Sequence, residues 1–142
     1  MNQETIRTFE DLQCWKACRE LRLFVRRKVV PGLPKEEVYR LADQIIRSSR
    51  SSTANIAEGY GRFHYLDNAK FCSQARGSCS ETLDHLIAAN DECLLSDDLL
   101  DEGRQLVQYA VKLLNGYISY LQRAANQNKI QASNSSPITD NR

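Results

Sequence analysis

Apolar residues recur at steps of three and four along most of this 142-residue chain, the period of an amphipathic helix. Leu12, Trp15, Cys18, Leu21, Val25 and Val29 mark a first helix. Thr8-Phe9-Glu10-Asp11 has the form of a capping box and places the start at Thr8. Pro31-Gly32 places the end. Pro34 suits the first turn of a second helix, whose inner stripe is Val38, Leu41, Ala42, Ile45, Ser49, Ser52, Ile56 and Gly59. Gly59 and Gly61 close it and open a short turn. A third helix is expected from about Asp67 to Leu95, with Ala69, Cys72, Ala75, Cys79, Leu83, Leu86 and Cys93 inward. Ser96-Asp97-Asp98 opens a fourth; Leu99, Leu100, Leu106, Val107, Ala110, Leu113, Leu114, Tyr117 and Leu121 carry it to about Asn126.

No segment alternates with period two, and no internal repeat is present. Four helices with short connections predict an all-α protein, an antiparallel up-down-up-down four-helix bundle. The expected organisation is an N-terminal arm over 1–7, the bundle over 8–126 and a polar, disordered tail over 127–142. Apolar residues are left over: Tyr39, Ile46 and Thr53 on the second helix, and Leu113, Leu114, Tyr117, Ile118 and Tyr120 on the fourth. A bundle helix needs one apolar stripe, so a second one predicts contacts between copies of the chain.

The second helix changes character along its length. Ser48, Ser49, Ser51, Ser52, Thr53, Ala54 and Ala57 replace bulky residues, although hydroxyl side chains are mildly unfavourable inside helices. Small residues let another backbone come close. Gly77-Ser78, in the middle of the third helix, is the expected partner, with Asn55 and Glu58 locking the crossing.

Composition narrows the class. The hydrophobic share is 42% and the charged share 26%, ordinary for a folded domain. No apolar run approaches a membrane span, and the N-terminus lacks a basic-then-apolar leader, so a cytoplasmic protein without membrane contact is expected. The five cysteines, Cys14, Cys18, Cys72, Cys79 and Cys93, are odd in number and lie within helical patterns. They read as small buried hydrophobes. Cys14 and Cys18 share a helix face, but there is no CxxC, and only His64 and His85 could complete a metal site. No metal and no cofactor is expected.

Net charge is +1, yet it is divided unevenly. Residues 1–66 hold twelve Lys and Arg against eight Asp and Glu, and residues 67–142 hold seven against ten. Arg19, Arg22 and Arg26 share a face of the first helix, extended by Arg27 and Lys28; Arg40, Arg47 and Arg50 mark the second helix, and Arg62 follows it. The guanidinium fork suits phosphate. The competing reading is that charged stripes are the wet faces of bundle helices.

Phe9-x-x-Leu12-x-x-Trp15, Gln44-Ile45-x-Arg47-Ser48, Ser52-x-x-Asn55-Ile56-Ala57-Glu58-Gly59 and Gly77-Ser78-x-x-Glu81-Thr82-Leu83 resemble the 23S rRNA intervening-sequence proteins over roughly residues 8–122. The 55–59 segment is the most specific part. The fold is similar to the accessory variability protein of diversity-generating retroelements, a pentameric basic barrel that binds reverse transcriptase and nucleic acid. The resemblance implies a homo-oligomeric, pentameric bundle with no enzymatic activity. The retroelement relative is strongly basic, whereas this chain has a pI near 7.6.

Gln44, Ser52, Asn55, Glu58, Gly59, Gly77 and Glu81 are the motif positions, read as architecture, with Glu58 and Glu81 each available to an arginine such as Arg47 or Arg62. Catalysis finds little support. No phosphate-cradling loop is present, and Cys72 or Cys79 with His85 is the least poor nucleophile–base pair. The expected function is therefore non-enzymatic binding of RNA or DNA, structured RNA foremost, through Arg19, Arg22, Arg26, Arg27, Arg47, Arg50 and Arg62. The alternative is a protein-binding scaffold or accessory subunit, for example of a reverse transcriptase.

Overall fold

The computed structural model describes residues 5–135. Four α-helices account for most of them: α1 (Gln13–Phe24), α2 (Leu41–Gly61), α3 (Tyr65–Asp91) and α4 (Asp97–Ser135). Among the described residues there is no strand.

The capping box forms, but around a shorter element. Thr8 Oγ1 accepts the Glu10 N–H at 3.1 Å, and Asp11 Oδ2 accepts the N–H groups of Arg7 and Thr8 at 2.9 and 3.1 Å. These bonds close a single 3₁₀ turn over Phe9–Asp11. Leu12 is then extended, so α1 begins at Gln13 and not at Thr8. The side step lets the Phe9 ring meet Trp15 edge-on at 5.4 Å. At its other end α1 passes into a π-helical turn over Val25–Val29, where the Val30 N–H reaches back to the Val25 carbonyl. The wide turn keeps Val25 and Val29 both buried, while Arg26, Arg27 and Lys28 all face out.

The second helix begins later than Pro34 suggests. Lys35–Glu37 forms a 3₁₀ turn, and Arg40 breaks the chain at φ −121°, ψ −101°. Glu37 has a reason to stop there: its carboxylate accepts the Leu41 N–H at 3.3 Å, a negative charge at the positive end of α2. Val38 consequently leaves the expected stripe and is 49% exposed, and Tyr39 is 92% exposed. The rest of that stripe, from Leu41 to Gly59, is buried.

α2 and α3 meet along a seam of hydroxyls. Ser48 Oγ and Thr82 Oγ1 lie 2.8 Å apart, and Ser78 Oγ donates to Ser51 Oγ at 2.9 Å. Thr82 donates its single proton to the Ser78 carbonyl at 2.8 Å, so Ser48 supplies the proton between the two hydroxyls. Asn55 Nδ2 reaches back to the carbonyl and hydroxyl of Ser51. The closest approach belongs to Gly59, not Gly77. A methyl on Gly59 would sit 2.8 Å from both Asn68 Oδ1 and Phe71 Cβ, whereas one on Gly77 would meet nothing within 4 Å.

α3 ends at Asp91, short of Leu95. Cys93 takes a left-handed conformation, φ 61°, and is exposed instead of joining the inner stripe. The Leu94 N–H returns to the Ala89 carbonyl at 2.8 Å, a Schellman-type stop with cysteine where glycine is usual. Asn90 Nδ2 bridges the turn to the Leu95 carbonyl and Asp97. Ser96 accepts the Leu99 N–H and starts α4. α4 then continues past Asn126 to Ser135, so the first part of the expected tail is helical and exposed. Residues 136–142 lie outside the described residues.

Leu21, Val25, Ile45, Ile56, Leu86, Leu114 and Leu121 are fully buried and form the core with Cys18, Cys72 and Cys79. Gly103 lets α4 approach this core: a methyl there would lie 2.5 Å from Leu86 and 3.0 Å from Phe24. Among the described residues no buried side-chain nitrogen or oxygen lacks a hydrogen-bond partner. None of their helices is long and apolar enough to cross a membrane.

Candidate nucleic-acid interface

The arginines singled out by spacing divide by environment. Arg22 is half-buried, and its Nη1 donates to Thr53 Oγ1 at 2.8 Å, fastening α1 to α2. Thr53 is thereby buried and leaves the exposed second stripe. Arg47 pairs with Asp43 at 3.0 Å, and Arg62 with Glu58 at 2.9 Å. Arg62 also lies over the Phe71 ring at 5.0 Å. Arg19, Arg26, Arg27 and Arg50 are exposed, and none has an acidic partner among the described residues. Lys28, next to Arg27, is tied to Glu102 of α4 at 2.8 Å.

The free cations share one region because of Arg22. Its bond to Thr53 sets the outer face of α1 beside that of α2, and Arg50 lies one turn before Thr53. Arg19 and Arg26 lie one turn before and after Arg22. Arg27 follows Arg26 in the π-helical turn and is exposed as well.

The carboxylates of the motif segments do not form a buried network. Glu58 is exposed and accepts from Arg62, the residue that caps the end of α2. Glu81 is exposed and meets His85 at 3.3 Å on its own helix. Gln44 points to solvent, while Ser52 is buried and donates to the Ser49 carbonyl at 2.7 Å. The crossing of α2 and α3 is locked by hydroxyls and by Gly59.

The cysteines lie where a nucleophile or metal ligand would be poorly placed. Cys14, Cys18, Cys72 and Cys79 are buried. Burial pushes the Cys72 thiol up to about 12 and Cys14 higher still. Cys79 Sγ lies 3.6 Å from Cys18 Sγ, and this hydrogen bond together with burial raises the Cys79 thiol. Thiols held protonated, as Cys14, Cys72 and Cys79 are, are weak nucleophiles; the bond from Cys79 lowers the Cys18 thiol instead. His85 pairs with Glu81 on its own helix, and His64 Nδ1 caps α3 by accepting the Asp67 N–H.

Helical periodicity is silent on a second surface. A groove runs between the α2–α3 turn, the start of α1 and the second half of α4, lined by Tyr60, Phe63, Tyr65, Tyr117 and Tyr120 among others. Its sequence signal is the aromatic run Phe63-His64-Tyr65 in a turn that needs no large side chains. Asn68 Nδ2 donates to Tyr117 Oη at 3.0 Å, and burial raises the Tyr117 hydroxyl above its ordinary range.

No curated protein sequence matches the chain significantly. The family model described as 23S rRNA-intervening sequence protein matches residues 10–116. That span takes in α1, α2, α3 and α4 as far as Gly116, short of the buried Ile118 and Leu121. With four helices and the motif segments in these places, the chain belongs to the 23S rRNA-intervening sequence protein family.

Proposed function

We propose that this protein is a non-enzymatic, cytoplasmic, ring-forming helical bundle that binds nucleic acid, structured RNA foremost, through the outer faces of α1 and α2. One observation carries the reading: Arg19, Arg26, Arg27 and Arg50 are exposed on neighbouring helices without acidic partners among the described residues. Guanidinium groups left unneutralised by their own chain are available to phosphate. The rRNA setting of the family supports RNA over DNA.

An up-down-up-down order is supported by paired contacts: Ser48 with Thr82 and Ser51 with Ser78 between α2 and α3, then Leu86 beside Gly103 and Asn68 with Tyr117 between α3 and α4. Assembly into a pentamer follows the family resemblance, and repeated arginine faces would add their weak contacts by multivalency. A protein partner, such as a reverse transcriptase, is the second reading. The exposed Val38 and Tyr39 beside the break at Arg40 favour it.

The test is retention of a labelled RNA hairpin at about 50 and about 200 mM salt. Roughly four phosphate contacts predict roughly a hundred-fold weaker binding at the higher concentration. Arg26→Glu with Arg50→Glu should weaken binding and flatten the salt slope. Salt-independent retention, or none lost in the double variant, overturns the arginine-face reading. Light scattering tests the ring, and a monomer at micromolar concentration overturns it.

A further inference from the structure

Nine large hydrophobic side chains stand exposed among the described residues, and five of them, Ile6, Phe63, Tyr65, Leu66 and Tyr120, line the groove at the α2–α3 turn. The groove encloses about 1250 Å³, more than one drug-sized ligand fills.

Phe63 is the anomaly. Its backbone is left-handed, φ 54°, a conformation that bulky residues resist, and its ring is 87% exposed. The ring it meets is that of Tyr60, at 6.2 Å. Glycine would fit that backbone without strain, and a polar residue would suit that exposure. An aromatic ring held there against both preferences points to something that covers it.

The lining suits flat, aromatic guests. Tyr117 and Tyr120 are stacked at 6.0 Å with planes 15° apart, and Tyr120 is half exposed. Gln13 and Asn128 add amide donors and acceptors to the wall. Lys112 and His64 also line it. The acid of the lining is Asp11, and its carboxylate is engaged by the Arg7 and Thr8 amides. Aromatic faces with cations beside them are the recognition chemistry of unpaired nucleotides.

We infer that this groove receives unpaired bases of an RNA loop, stacked on Phe63 and Tyr120, while the arginine face of α1 and α2 holds the adjoining phosphates. The inference rests on the nucleic-acid reading and narrows it to RNA with exposed bases.

The experiment compares a labelled RNA hairpin carrying an unpaired loop with the same stem as a closed duplex, by fluorescence anisotropy at low salt with the full chain. The hairpin should bind about ten-fold tighter than the duplex. Phe63→Gly, which also relieves the backbone, and Tyr120→Ala should each remove most of that advantage and leave duplex binding unchanged. Circular dichroism checks that both variants keep their helix content. If both variants bind the hairpin as the parent does while Arg26→Glu weakens both probes, the groove inference falls and the arginine face stands. If neither probe binds, both readings fall. If Phe63→Gly alters the assembly size by light scattering and not the hairpin preference, the groove is a subunit contact and the inference falls.

Discussion

The hydroxyl seam between α2 and α3 and the apolar core to which all four helices contribute are both buried, but they are held by different physics. The core is filled by volume: Leu21, Leu86, Leu114 and Leu121 are fully buried, and Gly103 makes room for Leu86. The seam has little volume to bury and is held by direction. Ser48 with Thr82, Ser78 with Ser51, and the bare Cα of Gly59 against Asn68 fix where one helix lies on the other. Large side chains supply most of the stabilisation, because burial scales with apolar area. Paired hydroxyls supply register, because a slipped seam leaves them buried without partners.

The contrast is broken most severely from the core side. Leu86→Ala should cost about 2–5 kcal/mol in urea unfolding. Gly103→Ala added to it should recover part of that loss, since the new methyl enters the space Leu86 vacates. Next in size is Gly59→Ala, expected to cost about 2 kcal/mol by the same measurement, because Phe71 Cβ is anchored to backbone and cannot step aside. Thr82→Val keeps the shape of the seam and removes its hydroxyl chain. A loss of about 1–2 kcal/mol is expected, and a neutral result would mean that the hydroxyls contribute no register. The smallest effect has the opposite sign. Gly77→Ala should stabilise by about 1 kcal/mol, since the site is exposed, helical and open. A destabilised Gly77→Ala would restore Gly77 as the contact point of the seam.

The core was readable from the chain, since leucines at three- and four-residue steps mark one buried helix face and little else. Small residues are different, because glycine and serine serve close packing, caps and open surface alike. Gly59 and Gly77 therefore look equivalent in a sequence and behave oppositely in the structure. Local competition hid the helix ends. The capping box of Thr8 closed a 3₁₀ turn, and the Glu37 carboxylate took an amide that a continuous helix would have kept inside. The arginine faces were visible as spacing, but which cations stay free depended on neighbours such as Asp43, Glu58 and Thr53. The aromatic groove draws residues from the chain start, the α2–α3 turn and α4, and no periodicity within one helix reports a surface made from three.

The placement of the cysteines has a practical consequence. Cys93 stands in solvent at the end of α3, while Cys14, Cys18, Cys72 and Cys79 are sealed between helices. The native chain thus offers a single handle for maleimide chemistry, and the remaining four become available only when the bundle opens. Counting alkylated thiols against time by mass spectrometry would follow breathing of the interior without any engineered label, with a dye on Cys93 left in place to follow assembly.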